Sequence, residues 1–492
     1  MDQPNIVFIT TDTQGQGMLS CYVDRPGVNT PNLDRLAENA VLFENSFAAC
    51  PLCTPARSAW YSGLHPNRNG AWCNNVSMRR HTPLLAEILS ERGYQAKHLG
   101  KWHLDGGSYN GHGSADGGFD QDTWYDMTNY HQDTAEPGAD YPNRFREWNL
   151  GIKDENYCVG HRVADRAIEI IKRQPTADKP LFLAVEFDEP HGPYICPPPF
   201  RGRNPYESLY RPPTLNANMA GKPEIQKKWA AYMRKNQRNP EDLPAYYSKY
   251  YDTNSYVDYE IGRVLDAALQ YGGDNTMIIF TSDHGDHVGA FGLRAKGPTM
   301  YDHTTAVPLI IRAPGIAEDG RREKGMVSSV DIWATVLDMA GVEQDQGYVS
   351  PGNGYTCQSL MPVLRGETEQ VRDHVIIEFN RFGVVHEEDE GLFPIRCIRT
   401  DDWKLAINLF DRDELYNLRD DPEEANNLID GEACAGIRNE LHDRILGWQK
   451  RTRDPFRGPR WLQRPWRTDA KHEFEGLFTT GWKDEWEAEI FN

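Results

Sequence analysis

Cys50-Pro51-Leu52-Cys53-Thr54-Pro55-Ala56-Arg57-Ser58 is the stretch around which the chain is organised. Thr54 followed by Pro55 predicts a helix capped by the threonine and opened by the proline, with Cys53 just outside it. Free backbone N–H groups and the helix dipole favour anions there, so a nucleophile at 53 would stand beside a negatively charged substrate. Arg57, one turn further on, can reach back with its rigid fork of donors to an oxyanion or to the side chain at 53. The Cys50-x-x-Cys53 spacing also fits a redox pair or half of a zinc site, but neither a second such pair nor a short thioredoxin-like context accompanies it.

The surrounding composition is that of a globular protein, with 39% hydrophobic and 26% charged residues, and 492 residues suffice for one large and one smaller domain. After Met1 to Asn5 the apolar run Ile6 to Ile9 is too short for a signal segment or a bilayer span, so no membrane is expected as a partner and the cytoplasm is the expected location. Nine cysteines without framework spacing agree with a reducing compartment. The net charge of -20 is spread along the chain and argues against nucleic acid or an anionic membrane as the main partner. It leaves room for a small anionic substrate, because a metal ion and a few inward Arg and Lys residues reverse the local field.

Along the chain, Asn5 to Thr11 reads as a buried parallel strand ending at Asp12, where open α/β sheets place their sites. Helices are expected from Pro31 to Glu38, Thr82 to Arg92, Tyr157 to Lys172, Tyr246 to Leu269 and Ser328 to Ala340. Between them, strands are expected at Gln95 to Leu99, Pro180 to Phe187, Asn275 to Thr281 and Pro308 to Arg312. Three of these lead into chemistry-bearing residues: Lys101 and His103, then His191 between two prolines, then Asp283 and His284, with Lys296 following. Trp72, Asn75 and His81 are polar-loop candidates for the mouth of a site, together with Asn380 and Arg381. Gly106 to Gly118 lacks a dinucleotide fingerprint and reads as loop. Pro197 to Pro240 reads as an irregular excursion over the substrate, with a short helix near Ile225 to Met233. Beyond a linker from Pro351 to Arg365, strands at His374 to Phe379, Ile395 to Thr400 and Lys404 to Leu409 and a helix near Arg438 to Lys450 suggest a small antiparallel sheet. The expected division is a catalytic domain over 1–365, an α+β subdomain over 366–450 and a strap or subunit contact over 451–492, which leaves a homo-oligomer open.

Cys53-Thr54-Pro55-Ala56-Arg57 resembles the C-x-P-x-R signature of the type I sulfatases, whose cysteine is oxidised to formylglycine by a dedicated generating enzyme. Asn5 to Asp12 is similar to the family's first strand and metal aspartate, Gly100-Lys101-Trp102-His103 to its G-K-W-H segment, and Asp283-His284-Gly285 with Lys296 to its distal metal pair and sulfate-binding lysine. His191 in Pro190-His191-Gly192-Pro193 resembles the histidine facing the leaving group, and Glu414 to Leu428 the family's terminal E-L-Y segment.

The resemblance implies an alkaline-phosphatase-like α/β fold with a mostly parallel central sheet and a smaller C-terminal antiparallel sheet. It implies hydrolysis of a sulfate monoester of a carbohydrate or other small alcohol. In the family mechanism, one hydroxyl of hydrated formylglycine at 53 attacks sulfur and the other expels sulfate. It further implies one divalent ion on Asp12, residue 53, Asp283 and His284, with His191 as leaving-group acid, His103 assisting breakdown, and Arg57, Lys101 and Lys296 neutralising charge. Thr13 stands where many members carry another metal aspartate, and His284 where many carry asparagine. That exchange resembles the phosphonate monoester hydrolase and choline-sulfatase branches. It sets manganese beside calcium as the ion, and phosphonate monoester or phosphodiester hydrolysis beside sulfate ester hydrolysis. The segment Arg453-Asp454-Pro455-Phe456-Arg457 is shared with uncharacterised bacterial sulfatase-like proteins.

Overall fold

A computed structural model describes residues 3–107, 109–134, 155–235, 242–342, 354–383, 391–468 and 470. Its centre is β1 (Asn5–Asp12), whose residues alternate between two cores. Ile6 and Phe8 face Trp60, Leu85 and Trp333, whereas Val7 and Ile9 face Leu33, Val163 and Tyr250. Both faces of this strand are therefore apolar, and it pairs in parallel with β4 (Leu181–Pro190) and β5 (Thr276–Ser282).

The full sheet adds β2 (Val41–Phe47), β3 (Gln95–Gly100), β6 (Leu309–Arg312) and β7 (Arg322–Ser328). Its seven strands run in the order β3-β4-β1-β5-β6-β2-β7, and β6 alone lies antiparallel to both its neighbours. Helices Cys53–Ser62, Leu85–Glu91 and Asp331–Met339 cover one face; Pro31–Ala37, Val159–Arg173 and Asp242–Tyr271 cover the other.

The second sheet comprises β8 (Val375–Phe379), β9 (Ile395–Arg399), β10 (Trp403–Asn408) and β11 (Glu414–Asn417), all antiparallel. One face carries Ile377, Phe379, Cys397 and Ala406, which pack with Cys50 and Leu52, directly beneath the nucleophile segment. The other face packs on helix Ala435–Thr452 through Leu441, Ile445 and Trp448.

Several expectations shift. The helix at the signature spans Cys53–Ser62 with Leu52 as its N-cap residue, so Cys53 is its first residue and Thr54 is not the cap. The Thr54 hydroxyl instead donates to the His103 carbonyl at 2.9 Å, and its N–H is taken by Asn74 Oδ1 at 3.0 Å, so the cap function comes from another segment. Residues 360–364, expected to be linker, contribute Leu360, Met361, Val363 and Leu364 to the large core. Strands β2 and β7 were not expected, since Glu44, Asn45 and Ser46 interrupt one, and only the second half of Arg322–Ser328 is buried. The helix in the excursion runs Glu224–Lys235, and the C-terminal helix crosses the expected boundary at 450 to end at Thr452. Residues 471–492 of the expected strap lie outside the described residues.

Gly100 closes β3 at φ +104°, and a Cβ there would sit 1.9 Å from the Glu186 carbonyl oxygen. Gly100→Ala is therefore expected to lower unfolding stability by at least about 2 kcal/mol, measured by denaturant titration, and to impair turnover through Lys101 next door. A shift in stability below about 0.5 kcal/mol would contradict this packing.

Candidate active site

Strands β1, β4 and β5 end side by side, and each delivers carboxylates to one buried place: Asp12, then Glu186 and Asp188, then Asp283. Arg57 rises among them from the helix Cys53–Ser62. Its Nη2 lies 3.3 Å from Asp12 Oδ2 and its Nε 3.5 Å from Asp283 Oδ2, while Nη1 donates to the Lys101 carbonyl at 2.8 Å and pairs with Glu186 Oε2. Glu186 also accepts from the Tyr61 hydroxyl. Lys101 Nζ sits 2.6 Å from Asp12 Oδ2, 3.2 Å from Asp188 Oδ1 and 3.7 Å from the centre of the Tyr109 ring.

Asp12, Cys53, Asp283 and His284 are all buried and bring one ligand atom each within 4.8 Å of one another. His284 Nδ1 donates to the Gly285 carbonyl at 2.9 Å, which leaves Nε2 as a bare lone pair 3.3 Å from Cys53 Sγ. Asp283 Oδ1 accepts from the N–H groups of Thr13 and His284 at 3.0 and 2.8 Å, and its Oδ2 has no hydrogen-bond partner. The Thr13 hydroxyl donates to Asp12 Oδ1 at 2.6 Å, so Thr13 holds two of the carboxylates where a further aspartate would have added charge.

The two carboxylates divide their ionisation. Burial works against the charge on Asp12, yet Lys101, His191, Lys296 and His284 outweigh it and hold Asp12 well below the usual range. Burial and the neighbouring Asp12 push Asp283 up to about 8, so the pair retains a proton near neutrality. Burial, then Lys296, pulls His284 down to about 3, so its imidazole is neutral. Burial, then Asp12, raises the Cys53 thiol to about 12, so an unmodified cysteine here is protonated and a weak nucleophile. An orphaned carboxylate oxygen, a second carboxylate, a neutral imidazole nitrogen and the side chain at 53 form a donor set that fits a divalent cation, which would take the place of the shared proton.

Around this quartet, His191 Nδ1 donates to the Gly192 carbonyl at 2.6 Å and leaves Nε2 available. Burial, then Lys296 and Lys101, holds His191 well below its usual range. His103 Nε2 donates to Asn75 Oδ1 at 2.9 Å, and its buried Nδ1 has no partner. Lys296 is buried and bears on Asp12, His191 and His284. Asn380 is buried and its Oδ1 accepts from Arg396 Nη1 at 2.9 Å; Arg381 and Trp72 are half-buried. The segment of Trp72 to Asn75 joins the mouth where Asn74 bridges Gly383, whereas His81 is exposed.

Sequence reasoning missed Glu186, Asp188 and Tyr109. Two acids at alternate positions of the otherwise apolar LFLAVEFDEP strand were a usable signal, because buried carboxylates in such a strand require partners. Tyr109 lies in the segment read as loop, and its hydroxyl donates to Asp188 and meets His191 Nδ1 at 3.0 Å.

Residues 4–342 match the sulfatase family model, and residues 289–451 match that of the N-sulphoglucosamine sulphohydrolase C-terminal region. The chain belongs to the sulfatase family. It is 35% identical to the uncharacterized sulfatase YidJ of Escherichia coli over 492 residues, covering 97% of this chain and 93% of that protein. It is 27% identical to the ulvan-active sulfatase of Formosa agariphila, covering 92% and 84%. The phosphonate monoester hydrolase of Agrobacterium radiobacter shares the fold, with a TM-score of 0.73 at 24% identity over 91% of this chain and 96% of that one.

In this sulfatase, Glu186→Ala leaves the buried Arg57 guanidinium without one of its carboxylates, and a loss of about 3 to 5 kcal/mol in unfolding stability is expected. Denaturant titration checks it, and an unchanged midpoint would mean that Asp12 and Asp283 suffice to neutralise Arg57.

Proposed function

We propose that this sulfatase hydrolyses a sulfate monoester of a carbohydrate or other small alcohol, with formylglycine at position 53 and one divalent ion. Calcium is the first choice of ion and manganese the second. The observation that carries this reading is the quartet Asp12, Cys53, Asp283 and His284, buried beside the cations Arg57, Lys101 and Lys296. When formed and loaded, the hydrated aldehyde and its ion supply an oxygen nucleophile with a lowered pKa and draw charge from the sulfate oxygens.

The other roles belong to the chain's own side chains. Arg57 fixes Asp12 and Asp283, two of the residues that would hold the ion, in place beside residue 53. Lys101 and Lys296 meet the negative charge of the sulfate group. His191 Nε2, left free by the Nδ1–Gly192 bond, is the atom assigned to protonate the leaving oxygen, and the anionic ester opposes the part of its depressed basicity that comes from Lys296 and Lys101. His103, fixed by Asn75, offers Nδ1 as the base on the other side of the reaction. Maturation requires a formylglycine-generating enzyme as partner. A cytoplasmic location is part of this proposal.

Three experiments follow from it. Cys53→Ala is expected to lower kcat on an aryl sulfate by at least about 1,000-fold while the circular dichroism spectrum stays native; near-normal turnover would remove residue 53 from the nucleophile role. Mass spectrometry of the peptide spanning 53 should show a loss of roughly 18 Da in the active protein, as aldehyde replaces thiol chemistry. Fully active protein bearing only cysteine would contradict the modification. Across a graded series of leaving groups, His191→Ala should slow poor leaving groups more than activated aryl esters; equal losses would argue against His191 as the acid. Phosphonate monoesters and phosphodiesters assayed in the same series should be poorer substrates than sulfate esters, and the opposite order would favour phosphorus ester hydrolysis.

A further inference from the structure

One tyrosine meets both histidines, a lysine and a carboxylate of the site. Lys101 Nζ lies 3.7 Å from the centre of the Tyr109 ring, the His103 ring is 5.2 Å away at 63° and the His191 ring 5.4 Å away at 37°. The Tyr109 hydroxyl donates to Asp188 Oδ1 and meets His191 Nδ1 at 3.0 Å.

The donors and acceptors of this contact are settled by their neighbours. The Gly192 carbonyl, 2.6 Å from His191 Nδ1, can only accept, so Nδ1 carries a proton. Asp188 Oδ1 also faces Lys101 Nζ at 3.2 Å and is therefore an acceptor, which commits the phenol proton to it. What Tyr109 offers to the Nδ1–H is the lone pair of its oxygen. Burial and then Asp188 push the Tyr109 hydroxyl well above its usual range, so it keeps its proton.

Both partners of His191 are themselves held. The Asp188 side chain is buried, and the Asp188 carbonyl accepts the His191 N–H at 3.0 Å, so one residue holds the histidine by its backbone and, through Tyr109, by its ring. The segment carrying Tyr109 is pinned to the start of the helix Met127–Asp133. Thr128 donates its N–H to the Asn110 carbonyl at 2.9 Å and its hydroxyl to the Gly111 carbonyl at 2.8 Å, and Asp126 Oδ2 accepts the Gly113 N–H at 2.8 Å. Gly111, at φ +80°, permits this approach, since a Cβ there would run into the Asp126 carboxylate.

An imidazole that gives its proton from Nε2 needs Nδ1–H held by acceptors, which fix both the tautomer and the plane of the ring. A phenol polarised by a carboxylate is a stronger acceptor than a phenol alone, and it favours positive charge on the ring it holds. Burial, then Lys296 and Lys101, act on His191 in the opposite sense.

We infer that Tyr109 and Asp188 are positioning residues for His191: the chain of hydrogen bonds from Asp188 through Tyr109 holds the ring with Nε2 free for the leaving oxygen and balances the charge it carries before the proton leaves. The proton passes from Nε2 to that oxygen as the sulfur–oxygen electron pair moves onto it, while Nδ1 and the phenol keep theirs. This deepens the reading of His191 as the leaving-group acid and rests on it.

The test compares kcat/KM, which reports expulsion of the leaving group, on 4-nitrophenyl, phenyl and alkyl sulfates for the parent, Tyr109→Phe, His191→Ala and the double variant. Phenylalanine keeps the ring beside Lys101 and removes only the hydroxyl. Tyr109→Phe should lower kcat/KM on phenyl sulfate by at least about tenfold, and that loss should exceed the loss on 4-nitrophenyl sulfate by at least about fivefold. In the His191→Ala background the same substitution should cost less than about twofold and add no leaving-group dependence, because the hydroxyl acts through the ring. Asp188→Asn should steepen the dependence as well, on top of a uniform loss through Lys101, and it decides the matter if Tyr109→Phe does not fold. Equal losses across the series for Tyr109→Phe, or a full loss repeated in the His191→Ala background, overturn the inference; a steep series for His191→Ala alone then leaves His191 as the acid. A steep series for Tyr109→Phe with a flat one for His191→Ala also overturns it, since the phenol would then act without the histidine. Flat series for both remove the acid reading and the inference together.

Discussion

The structure depends on the burial of Arg57. A guanidinium fully removed from water is costly unless carboxylates surround it, and here three strands of one sheet deliver them: Asp12 from β1, Glu186 from β4 and Asp283 at the end of β5. The parallel register of these strands thus brings three carboxylates to one guanidinium as well as packing the sheet. It also ties the helix Cys53–Ser62, which carries Arg57, to the ends of all three strands. The residue at 53 is carried to the metal quartet by the same constraint.

The acids outnumber what Arg57 alone can neutralise. Lys101 takes up Asp12 and Asp188, and the remaining imbalance falls on the Asp12 and Asp283 pair, which keeps a proton near neutrality. Asp12, Asp283 and the His284 lone pair are the groups that would hold a divalent ion, whose charge would offset the imbalance more completely than the proton does. Thr13 enters as a donor to both carboxylates, which accounts physically for a site built with fewer acids. His284 supplies the neutral ligand that completes it.

Much of this was legible in the sequence because buried parallel strands announce themselves as apolar runs, and the polar residues that end them stand out. Asp12, Lys101, His103, His191, Asp283 and His284 stood out that way, and the structure brings Lys101 against Asp12 and gathers Asp12, Asp283 and His284 with Cys53. Glu186 and Asp188 were hidden inside the run LFLAVEFDEP, where the apolar neighbours dominate the pattern. Thr54 was misjudged as a cap because its cap partner, Asn74, comes from a distant loop that no local pattern reveals. Strands β2 and β7 escaped for a related reason: they lie towards one side of the sheet, carry polar stretches and are held by pairing rather than by composition. The packing of the small sheet under Cys50 and Leu52 was likewise invisible, although it supports the nucleophile segment from below.

The central claim is that the charge left over around Arg57 is arranged for one divalent ion shared by Asp12, residue 53, Asp283 and His284. Anomalous diffraction from crystals of the manganese-loaded, formylglycine-bearing protein tests it most directly. The account predicts one strong peak within about 2.5 Å of an oxygen from each carboxylate, an oxygen of residue 53 and His284 Nε2. A peak outside that quartet, or none in protein that turns over a sulfate ester, would contradict it.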